Sequence, residues 1–199
     1  KNGARVQLTS YRDYKPASKI FYLLHNRLPY NSEGYATRTH GLLSSVKKYD
    51  VEGVSRLGYP QDRAGFKLEA FNSYDVVDGV KYHCLQASGN GYGQVPIAEY
   101  LQSYAEELQK FCLREKPAVL HAASNYMNGV VVNAVAKSLG IKSVYEVRGL
   151  WEITRISRDP LWRESEYFQM MAAMEAQAAK EADLVFTITE ALRDEMVSR

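Results

Sequence analysis

The chain has 199 residues, 46% of them apolar, which is enough for one domain with a sizeable core and excludes a disordered segment. Lys and Arg number 25 against 23 Asp and Glu, a net charge of +2 that gives no reason to expect a nucleic-acid partner. No apolar run approaches the length of a membrane span and no signal peptide is visible; the two cysteines, Cys84 and Cys112, have no metal-ligand spacing and read as reduced, partly buried thiols.

Residues 1–18 are polar and without a period, and read as a lead-in or edge segment. Ile20 to Leu24 is a short continuous apolar run, as expected of a buried parallel strand. A loop from His25 to Glu33 leads into a helix beginning near Gly34, with Tyr35, Leu42, Leu43 and Val46 on one face. Val51 to Ser55 is the second strand. Asp78-Gly79 between two β-prone runs predicts a hairpin. Gly89 to Gly93 predicts a flexible loop, and Pro96 to Glu115 an amphipathic helix.

The last third alternates cleanly. Ala118 to His121 reads as a strand, and Met127 to Leu139 as a helix stopped by Gly140. Ser143 to Val147 is the next strand. Asp159-Pro160 predicts the start of a long helix, with Asp as cap and Pro in the first turn. Leu184 to Ile188 is a further strand, and Thr187 with Glu190 resembles a capping box. The alternation predicts an α/β fold, Rossmann-like, with a mostly parallel sheet and helices on both faces. In such sheets ligands bind at the loops after the carboxyl ends of the strands.

Four such loops carry candidate residues. The first holds Glu33 and Gly34, with Arg38 one turn into the helix; a helix N-terminus and a glycine suit close approach to an anion. The second holds His121 and Ser124. The third runs through Glu146, Arg148, Trp151 and Glu152. Glu146 and Arg148 share a strand face, which fits a buried ion pair or an arginine oriented toward phosphate or sugar hydroxyls. The fourth holds Thr189 and Glu190, where a helix cap accounts for much of the pattern. No GxGxxG, phosphate-binding loop, nucleophile elbow or zinc-like cluster is present.

Taken in order, these segments resemble the N-terminal domain of family 4 glycosyltransferases. The resemblance rests on Leu24 to Tyr30 with Gly34 to Leu43, on Arg56 to Asp62, on His121-Ala122-Ala123-Ser124, on Val144 to Glu152, and on Ala182 to Arg193. It implies residues 19–199 as an acceptor-side Rossmann-like domain, with a donor-binding C-terminal domain lying outside this chain. It implies a hexosyltransferase-like enzyme of the GT-B fold that needs no cofactor or bound metal. That enzyme would move a sugar from a nucleotide-sugar to a sugar or glycolipid acceptor with retention, in polysaccharide or glycoconjugate synthesis. It implies a cytoplasmic location, with peripheral contact at the inner face of the membrane, and an isolated fragment that is inactive. Arg148 is then the catalytic candidate, and Glu33, Gly34, Arg38, His121, Ser124, Glu146, Glu152, Thr189 and Glu190 are substrate-binding candidates. The chain departs from the pattern where Glu33 precedes Gly34, where Ala123 replaces a second His, and where Arg148 replaces a His. A nucleotide-sugar 2-epimerase and a non-catalytic sugar-binding module are the alternatives.

Overall fold

The computed structural model describes residues 5–67, 71–88 and 91–199. Its sheet contains β1 (Ile20–Leu24), β2 (Val51–Ser55), β3 (Tyr74–Val77), β4 (Val80–His83), β5 (Val119–Ala123), β6 (Lys142–Val147) and β7 (Leu184–Thr187). Their spatial order is β3-β4-β2-β1-β5-β6-β7. Every neighbouring pair is parallel except the β3–β4 hairpin. The helices are α1 (Gly34–Ser45), α2 (Ile97–Glu115), α3 (Tyr126–Leu139), α4 (Trp151–Ile156), α5 (Glu166–Glu181) and α6 (Glu190–Ser198), with a 3₁₀ turn at Pro160–Glu164.

The central strand β1 is apolar on both faces because both are covered. Phe21 and Leu23 join Leu120, Ala122, Tyr145 and Val147 in the core under α2, α3 and α5. Tyr22 and Leu24 face the other way, toward Leu43 of α1, Tyr82 and Ala123. From β1 the sheet grows to β2 on one side and to β5 on the other. That reversal opens a crevice at the carboxyl ends of β1 and β5, the place where open α/β sheets hold ligands.

Residues 5–18 form an extended strap over α2 and α3. The Tyr11 N–H donates to the Ser138 carbonyl at 2.8 Å and the Gln109 amide to the Thr9 carbonyl at 2.8 Å. Residues 1–4 of the expected lead-in, and Gly89-Asn90 of the expected flexible loop, lie outside the described residues. Cys84 and Cys112 are buried and free. Among the described residues no helix is long and apolar enough to cross a membrane.

Three local expectations are corrected. The strand from Ala118 continues through Ala122 and Ala123, so His121 lies mid-strand and Asn125 caps α3 by accepting from the Met127 N–H at 3.3 Å. Asp159-Pro160 starts a 3₁₀ turn only; Ser165 caps α5, accepting from the Phe168 N–H at 3.1 Å. Thr189 rather than Thr187 caps α6, accepting from the Leu192 N–H at 3.2 Å.

Gly129 sets the spacing of the larger core. A Cβ there would lie 2.7 Å from Ala178 Cβ on α5 and 2.8 Å from the Tyr145 ring on β6. Gly129→Ala is therefore expected to cost about 1–3 kcal/mol through overpacking, outweighing its gain in helix propensity. The urea midpoint measures it, and an unchanged midpoint would mean that α5 shifts freely.

Candidate functional site

The loops after β1, β2, β4, β5, β6 and β7 open on the same edge of the sheet. Arg148, the residue after β6, lies inside this edge and not on its surface, with a side chain only 5% exposed. Its Nε donates to Glu146 Oε1 at 3.1 Å. One Nη donates to Thr39 Oγ1 at 2.6 Å and to the Tyr35 carbonyl at 3.4 Å, and the other to Glu146 Oε2 at 3.2 Å and to the Tyr22 hydroxyl. The guanidinium also packs against the faces of Tyr22 and Tyr35. An arginine has five N–H donors. All five are directed at acceptors within the chain, so the side chain ties β6 and β1 to α1.

Glu146 completes this network. It accepts from the Tyr22 hydroxyl and from Arg148, and His121 Nε2 lies 3.5 Å from Oε2 without making a hydrogen bond. Burial alone would raise the carboxyl, but the nearby His121 ring and the hydrogen bonds from Arg148 and Tyr22 hold its pKa at about 2. Ser124 is buried beside it, its Oγ accepting from the Arg148 N–H at 3.1 Å. Four of the residues singled out in the sequence therefore meet, as a supporting layer beneath the edge.

Glu152 does not join them. The sequence placed it in a loop beside Arg148, whereas it is the second residue of α4 and fully buried. It pairs with Arg199 at 2.7 Å, and lies near Glu175 of α5. Glu175 was not legible as anything but a polar residue in a helix. It is fully buried, accepts from the Tyr126 N–H at the start of α3 at 2.8 Å, and contacts the Tyr145 hydroxyl. Burial, opposed by these hydrogen bonds and helped by Glu152, raises its pKa to about 7.

The remaining candidates are exposed at helix starts. Glu33 precedes α1, with its N–H donating to Asn31 Oδ1 at 2.8 Å. At Gly34 a Cβ would meet nothing within 4 Å, so internal packing does not require a glycine there. Arg38 lies one turn further along, exposed, and Thr189 and Glu190 begin α6. Sequence reading missed the partners of Arg148 on β1 and α1, and the pair His25 and Tyr92; the aromatic content of those loops was the available signal. A wide groove lies elsewhere, between α3, α5, β7 and α6, and none of the candidate residues lines it. Among the described residues no cluster of His, Cys, Asp and Glu could hold a metal ion.

A parallel sheet reversing at β1, with loops from six strands on one edge, defines a Rossmann-like domain. The family model described as glycosyl transferase 4-like domain matches residues 33–199, and the chain belongs to that family. Among solved structures, sucrose-phosphate synthase from Thermosynechococcus elongatus is similar with a TM-score of 0.61 at 11% identity, over 90% of this chain and 45% of that one. UDP-GlcNAc 2-epimerase from Methanocaldococcus jannaschii is similar with a TM-score of 0.54 at 14% identity, over 90% and 42%. The chain thus spans under half the length of each. At such identities the likeness is one of fold. Among curated proteins none matches the chain significantly.

Proposed function

We propose that this chain is the acceptor-side domain of a retaining glycosyltransferase that builds a polysaccharide or glycoconjugate. The observation carrying this reading is the family match over residues 33–199. In this reading a second Rossmann-like domain, in the protein of which this chain is a part, binds the nucleotide-sugar. Glu33, Gly34, Arg38, Thr189 and Glu190 face the cleft from the starts of α1 and α6. Glu146, Ser124 and His121 form the layer beneath. Arg148 is a positioning residue and not a cation that touches phosphate, because its donors are already occupied. A carboxylate at Glu33 would repel a diphosphate, which favours an uncharged acceptor group at the start of α1.

The test is nucleotide release and product formation by the full-length protein with a panel of nucleotide-sugars. Transfer with the donor's anomeric configuration kept, read by NMR of the product, is the expected result; this chain by itself should release no nucleotide. Inversion at the anomeric carbon removes the retaining reading. Epimerisation at C2 without transfer replaces it with that of an epimerase.

A further inference from the structure

His25, the first residue after β1, lies between two aromatic rings brought from distant parts of the chain. Trp151 is edge-on to the imidazole at 4.8 Å between centroids, and Tyr92 is edge-on at 5.9 Å. Trp151 and Tyr92 are each 39% exposed. Rings of this size gain much from being covered. Beside them His25 Nδ1 and Asn26 Oδ1 are buried with no hydrogen-bond partner among the described residues. Buried polar atoms without partners are rare in folded chains, and two on consecutive residues call for a cause.

The charge at this corner narrows what could cover it. Arg27 is fully buried and directs its donors to Ser55, the Leu28 carbonyl, Asp75 and Cys84. Arg148 is occupied as described above. Arg56 is paired with Asp62 through one Nη and packs against the Tyr92 ring, so the pair is neutral overall, with Arg56 Nε buried and unpartnered among the described residues. Burial and the charge of Arg56 lower the His25 pKa to about 3, which keeps the imidazole neutral at working pH. The corner thus presents two aromatic rings and neutral polar atoms, while its three buried arginines are neutralised or occupied.

We propose that His25, Asn26, Tyr92 and Trp151 form a subsite for an uncharged pyranose ring, with the aromatic side chains covering its C–H face and His25 and Asn26 meeting its hydroxyls. This rests on the reading of the domain as the acceptor side of a glycosyltransferase. A pyranose has an apolar C–H patch beside a rim of hydroxyls, and that pairing matches half-exposed rings next to unsatisfied polar atoms. A nucleotide matches it less well, since its phosphates call for a free cation. With so low a pKa, His25 is a hydrogen-bonding partner and not a general base.

Trp151 reports on the subsite directly. Its fluorescence is read in a Trp162→Phe background, titrated with methyl α-D-glucopyranoside, methyl β-D-galactopyranoside, N-acetylglucosamine and UMP, with glycerol as a control. A saturable change with at least one of the three sugars, and none with glycerol, is expected. Tyr92→Ala should weaken it about fivefold to tenfold and Tyr92→Phe should leave it nearly unchanged. His25→Phe, which keeps a ring but removes both nitrogens, should weaken it by a similar factor while the melting temperature stays within a few degrees. No response to any of the sugars up to about 100 mM, far above the millimolar binding expected of a single ring, overturns the subsite. Saturation by UMP alone, or sugar binding indifferent to both Tyr92→Ala and His25→Phe, does so equally. The readout is binding by this chain and does not depend on turnover. Sugar binding here without transfer by the full-length protein would count against the glycosyltransferase reading alone; transfer without this binding would count against the subsite alone.

Discussion

Arg148→Ala is expected to lower the unfolding free energy of the chain by about 3–5 kcal/mol, the usual result of removing one partner from a buried ion pair. The side chains of Arg148 and Glu146 are 5% and 9% exposed, so the variant leaves Glu146 a largely buried carboxylate without its cation. The variant also frees Thr39 and the Tyr35 carbonyl on α1, loosening that helix from the strand ends. The pH dependence has a definite sign. Glu146 has its folded pKa depressed from 4.5 to about 2, so it contributes stability above pH 4.5 that is lost as pH falls toward 2. Removing Arg148 should flatten that part of the stability curve. Arg148→Lys keeps the charge but offers three donors instead of five, and should recover only part of the loss. If the full-length protein transfers sugar as proposed, transfer per folded molecule separates this role from direct contact with substrate. A fall of roughly 10²–10³ in rate with an unchanged melting temperature would make Arg148 the catalytic cation after all.

The strands and long helices were legible because their periods are unambiguous. Ile20–Leu24 coincides with its apolar run and Val51–Ser55 with the expected second strand, and Tyr100, Leu101, Tyr104, Leu108 and Phe111 are buried along one face of α2. The end of β5 was not legible, because Ala122 and Ala123 are small and read as loop, whereas both are fully buried in the sheet. Asp159-Pro160 obeys the rules for a helix start, but those rules also admit a 3₁₀ turn, and Ser165 is the better placed cap. The candidate site divided in the same way. Alternation along β6 put Glu146 and Arg148 on one face, which needs only the strand period. Glu152 depends on the direction of α4, a six-residue helix too short to leave a periodic trace. The role of Glu175 depends on α5 meeting α3 and β6, a tertiary fact with no local signal.

Glu175→Gln is expected to stabilise the chain at pH 8 by about 3 kcal/mol and to leave it nearly unchanged at pH 4. Glu175 is fully buried between α5, the N-terminus of α3 and Tyr145 on β6, with Glu152 of α4 nearby and Arg199 as the neighbouring cation. Its folded pKa is raised from 4.5 to about 7, so the fold favours the protonated carboxyl. Below pH 4.5 folded and unfolded chains both hold the proton and the raised pKa has no effect. Between pH 4.5 and 7 only the unfolded chain releases it, and stability falls by about 1.4 kcal/mol per pH unit. Above pH 7 the loss is complete and constant. Glutamine mimics the protonated acid: its carbonyl can still accept from the Tyr126 N–H, and its amide can donate to the Tyr145 hydroxyl. Urea unfolding of both proteins from pH 4 to 8 measures the difference. If the two curves stay parallel across that range, the buried carboxyl does not titrate in the fold, and Arg199 together with the α3 N-terminus holds Glu175 ionised throughout.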